Sequence, residues 1–236
     1  MALPKLKTPE FKLTLPSTQE EVKYRPFLVR EQKILMIAQE SEDEIQIADA
    51  LASLILDCTF GAVNADINPM FDIEYVFLQI RSKSVGSKVD LTVYCPDDNE
   101  TTVDIKVELS DIAVQLNIEH SDKVQLTDDI KVNFRYPRLK DVRGMLGDNE
   151  TEFEKMTRLV NICIDSVESG EETINRIDMT KDDIDVFVNS FNTMQLESVL
   201  KFFETMPKLR HIVQVTNPVT KVKGEVLLEG IESFLE

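Results

Sequence analysis

Few side chains in this sequence could carry out chemistry, because it holds only two histidines and three cysteines. A cysteine nucleophile needs a base beside it, and the candidate pairs are Cys95 with His120 and Cys163 with His211. No Gly-x-Ser-x-Gly, His-Glu-x-x-His or phosphate-binding glycine motif accompanies them. We therefore predict that the protein is not an enzyme, with an enzyme of unrecognised type as the alternative.

A metal site would have to be built around the segment Cys95-Pro-Asp-Asp98. Structural zinc sites use about four ligands, usually two Cys-x-x-Cys pairs. Here the fourth position of the segment is Asp98, and the chain has no second cysteine pair. Cys95 with His120 as the remnant of a zinc knuckle is one reading, and an ordinary turn with acidic tips is the other. We predict no bound metal and no cofactor.

Composition and charge restrict the partners. The 236 residues suffice for one large domain or two small ones, and 42% of them are hydrophobic. A formal net charge of −17 argues against nucleic acid or an anionic membrane as the main partner, but it permits a basic protein. The odd number of cysteines makes a disulfide framework improbable. No membrane-spanning window or signal peptide is visible, so we expect synthesis in a cytoplasm and no membrane anchor.

The stretch Lys23–Glu40 is predicted to be a docking element made of an extended segment, a proline corner and a helix. Pro26 disfavours helix at Arg25, so the helix is expected to begin near Val29. Its buried side is expected to comprise Ile34, Leu35, Ile37 and Ala38. Basic side chains gather where the element begins, which is unusual in so acidic a chain: Lys23, Arg25, Arg30 and Lys33.

Hydrophobic periodicity predicts an α+β fold, with a helical body, an inserted antiparallel β region and a C-terminal β-hairpin. The predicted regions are an extended N-terminal arm (1–22), a helical region (23–86), an antiparallel β region (87–137), a second helical region (138–206), and a C-terminal hairpin with a terminal helical turn (207–236). The arm carries a strand pattern that could fold back on its own domain or add to a sheet edge of a neighbour.

Two further expectations concern the middle of the chain. The short strands of 87–137 are expected to form one sheet that is apolar on one side and needs a cover. In the following region, Thr151–Val167 is expected to be a single helix, and Cys163 on its apolar side is expected to be a core residue, as is Cys58. No internal repeat is visible.

The order of several short stretches resembles the baseplate protein family of T-even-type contractile-tailed bacteriophages. These stretches are Lys23–Ser41, Phe77–Gly86, the Tyr94-Cys-Pro turn, Arg135-Tyr-Pro137 and Gly230–Phe234. The resemblance covers roughly residues 20–236. It implies a hub or hub-assembly subunit in the virion tail baseplate, one member of a hetero-oligomeric assembly with other tail proteins. It brings no catalytic residues with it.

If the resemblance holds, the basic residues are the candidates for contacts to neighbouring subunits: Lys23, Arg25, Arg30, Arg81 and Lys83. The alternative is that they pair with carboxylates of their own chain. Replacing Arg25 and Arg30 together by glutamate is then expected to weaken assembly without unfolding the protein. A second possible function is an acidic adaptor or assembly chaperone that binds a basic partner transiently and is not retained in the particle.

Overall fold

The structure, a computed structural model, describes residues 6–146, 150–230 and 233 and has the predicted α+β class. Its helices are α1 (Val29–Glu40), α2 (Glu44–Cys58), α3 (Met70–Val85), α4 (Leu139–Arg143), α5 (Glu152–Cys163), α6 (Lys181–Asn189) and α7 (Thr193–Thr205). Its strands are β1 (Phe11–Thr14), β2 (Glu21–Tyr24), β3 (Lys88–Tyr94), β4 (Thr102–Glu108), β5 (Ala113–Gln115), β6 (Lys123–Gln125), β7 (Ile130–Phe134), β8 (Ile164–Ser169), β9 (Glu172–Asn175), β10 (Lys208–Thr216) and β11 (Lys223–Glu229).

The chain divides into two compact units. Unit 1 comprises residues 1–115 and 208–236, and unit 2 comprises residues 116–207. The chain leaves unit 1 after Gln115 and returns at Lys208, and these two residues are paired in the β5–β10 ladder. Unit 2 is therefore inserted between two paired strands of unit 1. The five regions drawn from the sequence remain a prediction.

Unit 1 is organised around α3, which is buried along most of its length. Its fully enclosed side chains include Ile73, Val76, Phe77 and Ile80, each at most 1% exposed. Around it lie the β1–β2 hairpin, the β3–β4 ribbon and a three-stranded sheet in the order β11-β10-β5. Helix α3 is therefore the central element of the unit 1 core.

Unit 2 is a four-stranded antiparallel sheet in the order β6-β7-β8-β9, with helices packed on it. Its core joins the sheet to α5, α6 and α7 through Val124, Val132, Phe134, Val160, Cys163, Ile164, Val167, Ile184, Val188, Val199 and Phe202. Thr180 caps α6 by accepting from the Asp183 backbone N–H at 3.1 Å, and the Asp183 carboxylate returns to the Thr180 N–H at 2.9 Å. This capping box fixes the start of α6.

The N-terminal segment is not an extended arm over its whole length, because β1 finds a hairpin partner in β2. Leu13 lies opposite Val22, and both are 7% exposed. Folding back on its own domain, one of the two alternatives, is therefore what this strand does. The turn between the strands was not visible as a hairpin signal, since it has no Asn-Gly or Asp-Gly pair.

The β region of residues 87–137 does contain short strands, but the expectation of one sheet is wrong. Its strands are divided among three sheets: β3 with β4, β5 with β10, and β6 and β7 with β8 and β9. The helix predicted to reach Val167 ends at Cys163, and β8 begins at the next residue. Ile164 is extended because it pairs with Phe134 in the sheet. Helical periodicity reports only local sequence and could not predict this pairing.

The C-terminal hairpin is confirmed by the β10–β11 ladder, in which Val213 lies opposite Val226. Asn217 closes its turn, because its backbone N–H donates to the Val222 carbonyl at 2.9 Å. The predicted terminal helical turn at 230–235 lies for the most part outside the described residues.

Candidate protein-interaction surface

Arg25, one of the predicted contact residues, is buried and paired within its own chain. Its side chain is 9% exposed, and Nη2 donates to Glu31 Oε1 at 2.9 Å while Nη1 donates to the Pro26 carbonyl at 3.0 Å. Glu31 is 3% exposed and also accepts from the Leu28 backbone N–H at 2.6 Å. The pair holds the first turn of α1 against the strand that precedes it. Pairing within the chain, the alternative raised by the sequence, applies to Arg25.

The electrostatics of Glu31 follow from this geometry. Burial by itself raises the pKa of the carboxyl group, but hydrogen bonds from Arg25, Arg30 and the Leu28 backbone outweigh burial and lower the pKa to about 2. Glu31 is therefore ionised throughout the physiological range. Arg30 donates from Nε to the same carboxylate at 2.5 Å, yet its side chain is 67% exposed. Of the two arginines, Arg30 alone has a guanidinium that a partner could reach.

The expected buried side of α1 is largely wrong. Ala38 is buried and Leu35 is half-buried, but Ile34 is 52% and Ile37 is 65% exposed. Glu31 and Ala38 lie on the face turned to the core, and at 100° per residue Ile37 points well away from that face. The large apolar side chains exposed on α1 and just before it are Leu28, Val29, Ile34, Met36 and Ile37.

A groove between α1 and α2 adjoins these side chains. It has a volume of about 370 Å³ and is lined by Ile34, Ile37, Ala38, Gln46, Asp49, Ala50 and Ser53. We call it the α1–α2 groove. At the two ends of α2, Ile45 and Leu56 are 42% and 40% exposed. Exposed apolar side chains gathered on one helix are a feature of protein-interaction sites.

The other predicted contact residues lie at several places in unit 1. Lys23 is exposed on β2 and lines a shallow depression with Phe60 just beyond α2. Lys83 is exposed near the end of α3, with Nζ 5.3 Å from the centre of the Phe11 ring. Arg81 is half-buried, and burial lowers its pKa. Arg30 thus lies on α1, one of the two helices that form the groove, whereas Arg81 and Lys83 lie on α3.

Sequence reasoning missed the groove residues on α2, above all Asp49 and Ser53. They have ordinary surface character, and no motif marks them. Ile34 and Ile37 could have been recognised as a surface stripe only if the inward face of α1 had been known. The one available signal was Glu31, six residues after Arg25 and three after Leu28. A carboxylate at the third position of a helix can accept from the N-cap backbone and so identifies the start of the helix.

The histidine singled out as a base is engaged on both ring nitrogens. Thr205 donates its hydroxyl to the Lys201 carbonyl at 2.7 Å, so it accepts from His120 Nδ1 at 2.9 Å. His120 Nε2 then accepts from the Tyr136 hydroxyl at 3.1 Å. Burial lowers the pKa of His120, with nearby Asp122 acting in the opposite direction. The neutral ring is part of a satisfied network in unit 2.

The cysteines are buried thiols. Cys58, Cys95 and Cys163 are all fully enclosed, and burial raises the pKa of Cys58 to about 11 and that of Cys163 to about 12. A protonated thiol is a poor nucleophile and a poor metal ligand. The core role predicted for Cys58 and Cys163 is confirmed.

The acidic turn after Cys95 is occupied by its own hydrogen bonds. Asp98 accepts from the Thr101 hydroxyl at 2.6 Å and from Asn217 Nδ2 at 2.9 Å, and Asp97 accepts from the same amide at 3.0 Å. These bonds tie the β3–β4 turn to the β10–β11 turn. In the part of the chain that the structure describes, no three His, Cys, Asp or Glu side chains are placed to hold a metal ion.

Within the residues that the structure describes, no helix has the length and the apolar character that a membrane span requires. The described part of the chain thus has an exposed apolar face on α1 with basic side chains on the same helix. A family model described as T4 bacteriophage base plate protein matches residues 8–236. The chain belongs to this family, as its resemblance indicated, and it is a structural protein of the phage tail baseplate. No curated protein and no solved structure matches it.

Proposed function

We propose that the protein is a hub or hub-assembly component of the baseplate and acts through contacts with other tail proteins. The observation that carries this proposal is the exposed apolar side of α1. Val29, Ile34, Met36 and Ile37 are each between 52% and 66% exposed. Full burial of one such side chain stabilises by about 1.5–3 kcal/mol, so covering the exposed half contributes on the order of 1 kcal/mol per residue.

Basic side chains complete the proposed contact surface. Arg30 borders the apolar side of α1, and Lys23, Arg81 and Lys83 extend the candidates over the rest of unit 1. Arg25 is buried and does not itself contact a partner in this proposal, but its ion pair with Glu31 positions the start of α1. The partners in this proposal are baseplate proteins within a hetero-oligomeric assembly in the virion, made in the host cytoplasm. Nucleic acid and membrane are left out because the net charge is −17. No catalytic step is proposed.

The test places a charge in the apolar surface. Ile37→Glu is expected to reduce incorporation of the protein into baseplates at least tenfold, while its urea unfolding stays that of the unmodified chain, because Ile37 is 65% exposed. The matched control is Val219→Glu, which makes the same change at a residue 74% exposed in the β10–β11 turn. Equal incorporation of Ile37→Glu, Val219→Glu and the unmodified protein would refute α1 as the contact surface.

A transient acidic adaptor or chaperone is the second candidate, and its supporting observation is the net charge of −17. The two functions differ in where the protein remains. Quantitative mass spectrometry of purified mature particles is expected to find the chain at a fixed copy number per baseplate if it is a hub component. Presence in assembly intermediates together with absence from mature particles would establish the adaptor instead.

A further inference from the structure

Unit 2 repeats the local architecture of the first part of unit 1. In each, an antiparallel hairpin leads into an arginine, a short turn with proline and a capped helix, and a second helix then ends at a buried cysteine. The first set runs from β1 to Cys58, and the second runs from β6 to Cys163. In the hairpins, the buried pair Leu13 and Val22 has its counterpart in Val124 and Val132.

The hydrogen bonds of the two arginines match one by one. The backbone N–H of Arg25 donates to the Cys58 carbonyl at 2.9 Å, and that of Arg135 donates to the Cys163 carbonyl at 2.8 Å. Each arginine side chain also donates to the carbonyl of the next residue, at 3.0 and 3.1 Å.

The ion pairs match in the same way. Arg135 Nη1 donates to Asp141 Oδ2 at 2.7 Å, six residues on, as Arg25 donates to Glu31. Asp141 accepts from the Arg138 backbone N–H at 3.0 Å, as Glu31 accepts from that of Leu28. The ion pair recurs at the same spacing of six residues, whereas the arginine and the cysteine are 33 residues apart in the first set and 28 in the second. From these shared contacts we treat α2 and α5 as equivalent helices. The sequence conceals the repeat because only the arginine, the carboxylate and the cysteine survive in it.

Alignment of α2 and α5 on their terminal cysteines reveals what differs. Ile55 and Val160 correspond and are both fully buried. The next stripe consists of Asp49, Ser53 and Leu56 in α2 and of Glu154, Arg158 and Asn161 in α5. The α2 residues of this stripe are exposed, whereas Arg158 and Asn161 are half-buried.

Helix α6 packs beside this stripe in unit 2 and contacts its last residue, Asn161, whereas Glu154 stays exposed and Arg158 donates to Glu150 and to the Gly144 carbonyl. Asn161 Nδ2 donates to Asp185 Oδ1 at 2.5 Å, and Ile184 and Asp185 of α6 face Glu154 and Arg158 across one groove. Helix α6 is amphipathic, with Ile184 and Val188 buried.

Among the described residues of unit 1, no helix corresponds to α6. After Cys58 the chain continues to α3, whereas after Cys163 it passes through β8, β9 and α6 before α7. Helix α3 precedes β3 at the spacing at which α7 precedes β10, so α7 matches α3 and α6 is the additional helix. Because α3 is already enclosed in the core of unit 1, the stripe on α2 stays uncovered.

From this comparison we infer that the α1–α2 groove receives an amphipathic helix of another baseplate protein, in the position that α6 takes on α5. The inference rests on the proposed function and names the class of partner. Ile34, Ile37 and Leu56 supply apolar contacts. Arg30 and Lys33 are exposed beside them on α1, so the complementary helix is apolar on one side and carries carboxylates at its edge.

The experiment is site-specific photo-cross-linking in cells infected with the parent phage. The full chain carries p-benzoylphenylalanine in place of Ser53, which lines the groove and is exposed. The same substitution of Val219 is the matched control. We expect one adduct from position 53 and none of that mass from position 219. Mass spectrometry of the adduct is expected to map the cross-link to a segment of another tail protein with apolar residues at i, i+3, i+4 and i+7. Adding Ile37→Glu is expected to reduce the adduct at least tenfold.

Several results would overturn the inference. They are a cross-link to a strand or loop segment, a cross-link to a second copy of this chain, and no adduct at position 53 in baseplates that contain the protein. The last result would refute binding at the α1–α2 groove but not the proposed function, because the same particles show that the protein is incorporated into baseplates. Absence of the chain from both baseplates and assembly intermediates would overturn the inference and the proposed function together.

Discussion

Replacing Arg25 by leucine removes the positive partner of a carboxylate that is 3% exposed. Breaking a buried ion pair from one side typically costs 3–5 kcal/mol, because the remaining charge is left uncompensated. The pKa of Glu31 gives a second estimate. Its fall from 4.5 to about 2 corresponds to about 3 kcal/mol of stability at neutral pH, shared among Arg25, Arg30 and Leu28. We therefore expect Arg25→Leu to lower the free energy of unfolding of unit 1 by about 3 kcal/mol.

The assay is urea unfolding followed by circular dichroism, with each transition fitted separately because the chain has two units. Arg30→Leu is the matched control, since Arg30 donates to the same carboxylate from a side chain that is 67% exposed. Exposed ion pairs contribute about 0–1 kcal/mol, so the control is expected to stay within that range. A loss below about 1 kcal/mol for Arg25→Leu, or equal losses for both variants, would refute the reasoning.

The pH dependence of this loss has a definite sign. The folded-state pKa of Glu31 is lowered, so its stabilising contribution is present above pH 4.5 and disappears as the pH falls towards 2. The difference in stability between the unmodified protein and Arg25→Leu is therefore expected to shrink over that range. The expectation that Arg25→Glu leaves the fold intact must be corrected for the same reason, because two carboxylates would then share a buried site.

Three further predictions follow from the described contacts. Because burial lowers the pKa of His120, acidification below pH 6.5 is expected to destabilise unit 2, and His120→Phe should flatten this dependence in urea unfolding between pH 5 and 7.5. If His120→Phe leaves the slope of stability against pH unchanged, that slope arises from other titrating groups. Gly224→Ala places a Cβ closer to Pro96 Cγ than van der Waals contact allows, so a loss of about 1–3 kcal/mol is expected in thermal unfolding, and an unchanged transition would contradict this packing. Arg30→Glu is expected to weaken incorporation into baseplates with less than about 1 kcal/mol lost in stability, and normal incorporation would remove Arg30 from the contact surface.

Several features were predictable from the sequence because they depend on neighbouring residues. Pro26 disfavours helix at the residue before it, and α1 begins at Val29 as expected. Hydrophobic periodicity likewise predicted the C-terminal hairpin, which the structure has as β10–β11. The family resemblance was visible in the same short stretches that carry this local information.

Tertiary pairing decided the rest. Strand periodicity identifies a strand but not the strand with which it pairs. The pairing of β5 with β10, nearly a hundred residues away, could therefore not be predicted. For the same reason β8 was mistaken for the end of a helix. The inward side of α1 is set by the buried pairing of Arg25 with Glu31, and this turns Ile34 and Ile37 outwards, where they belong to the contact surface that we propose. The repeat of that pairing at Arg135 and Asp141 becomes recognisable only in the structure, because the residues that make the shared contacts are few and the sequence around them differs.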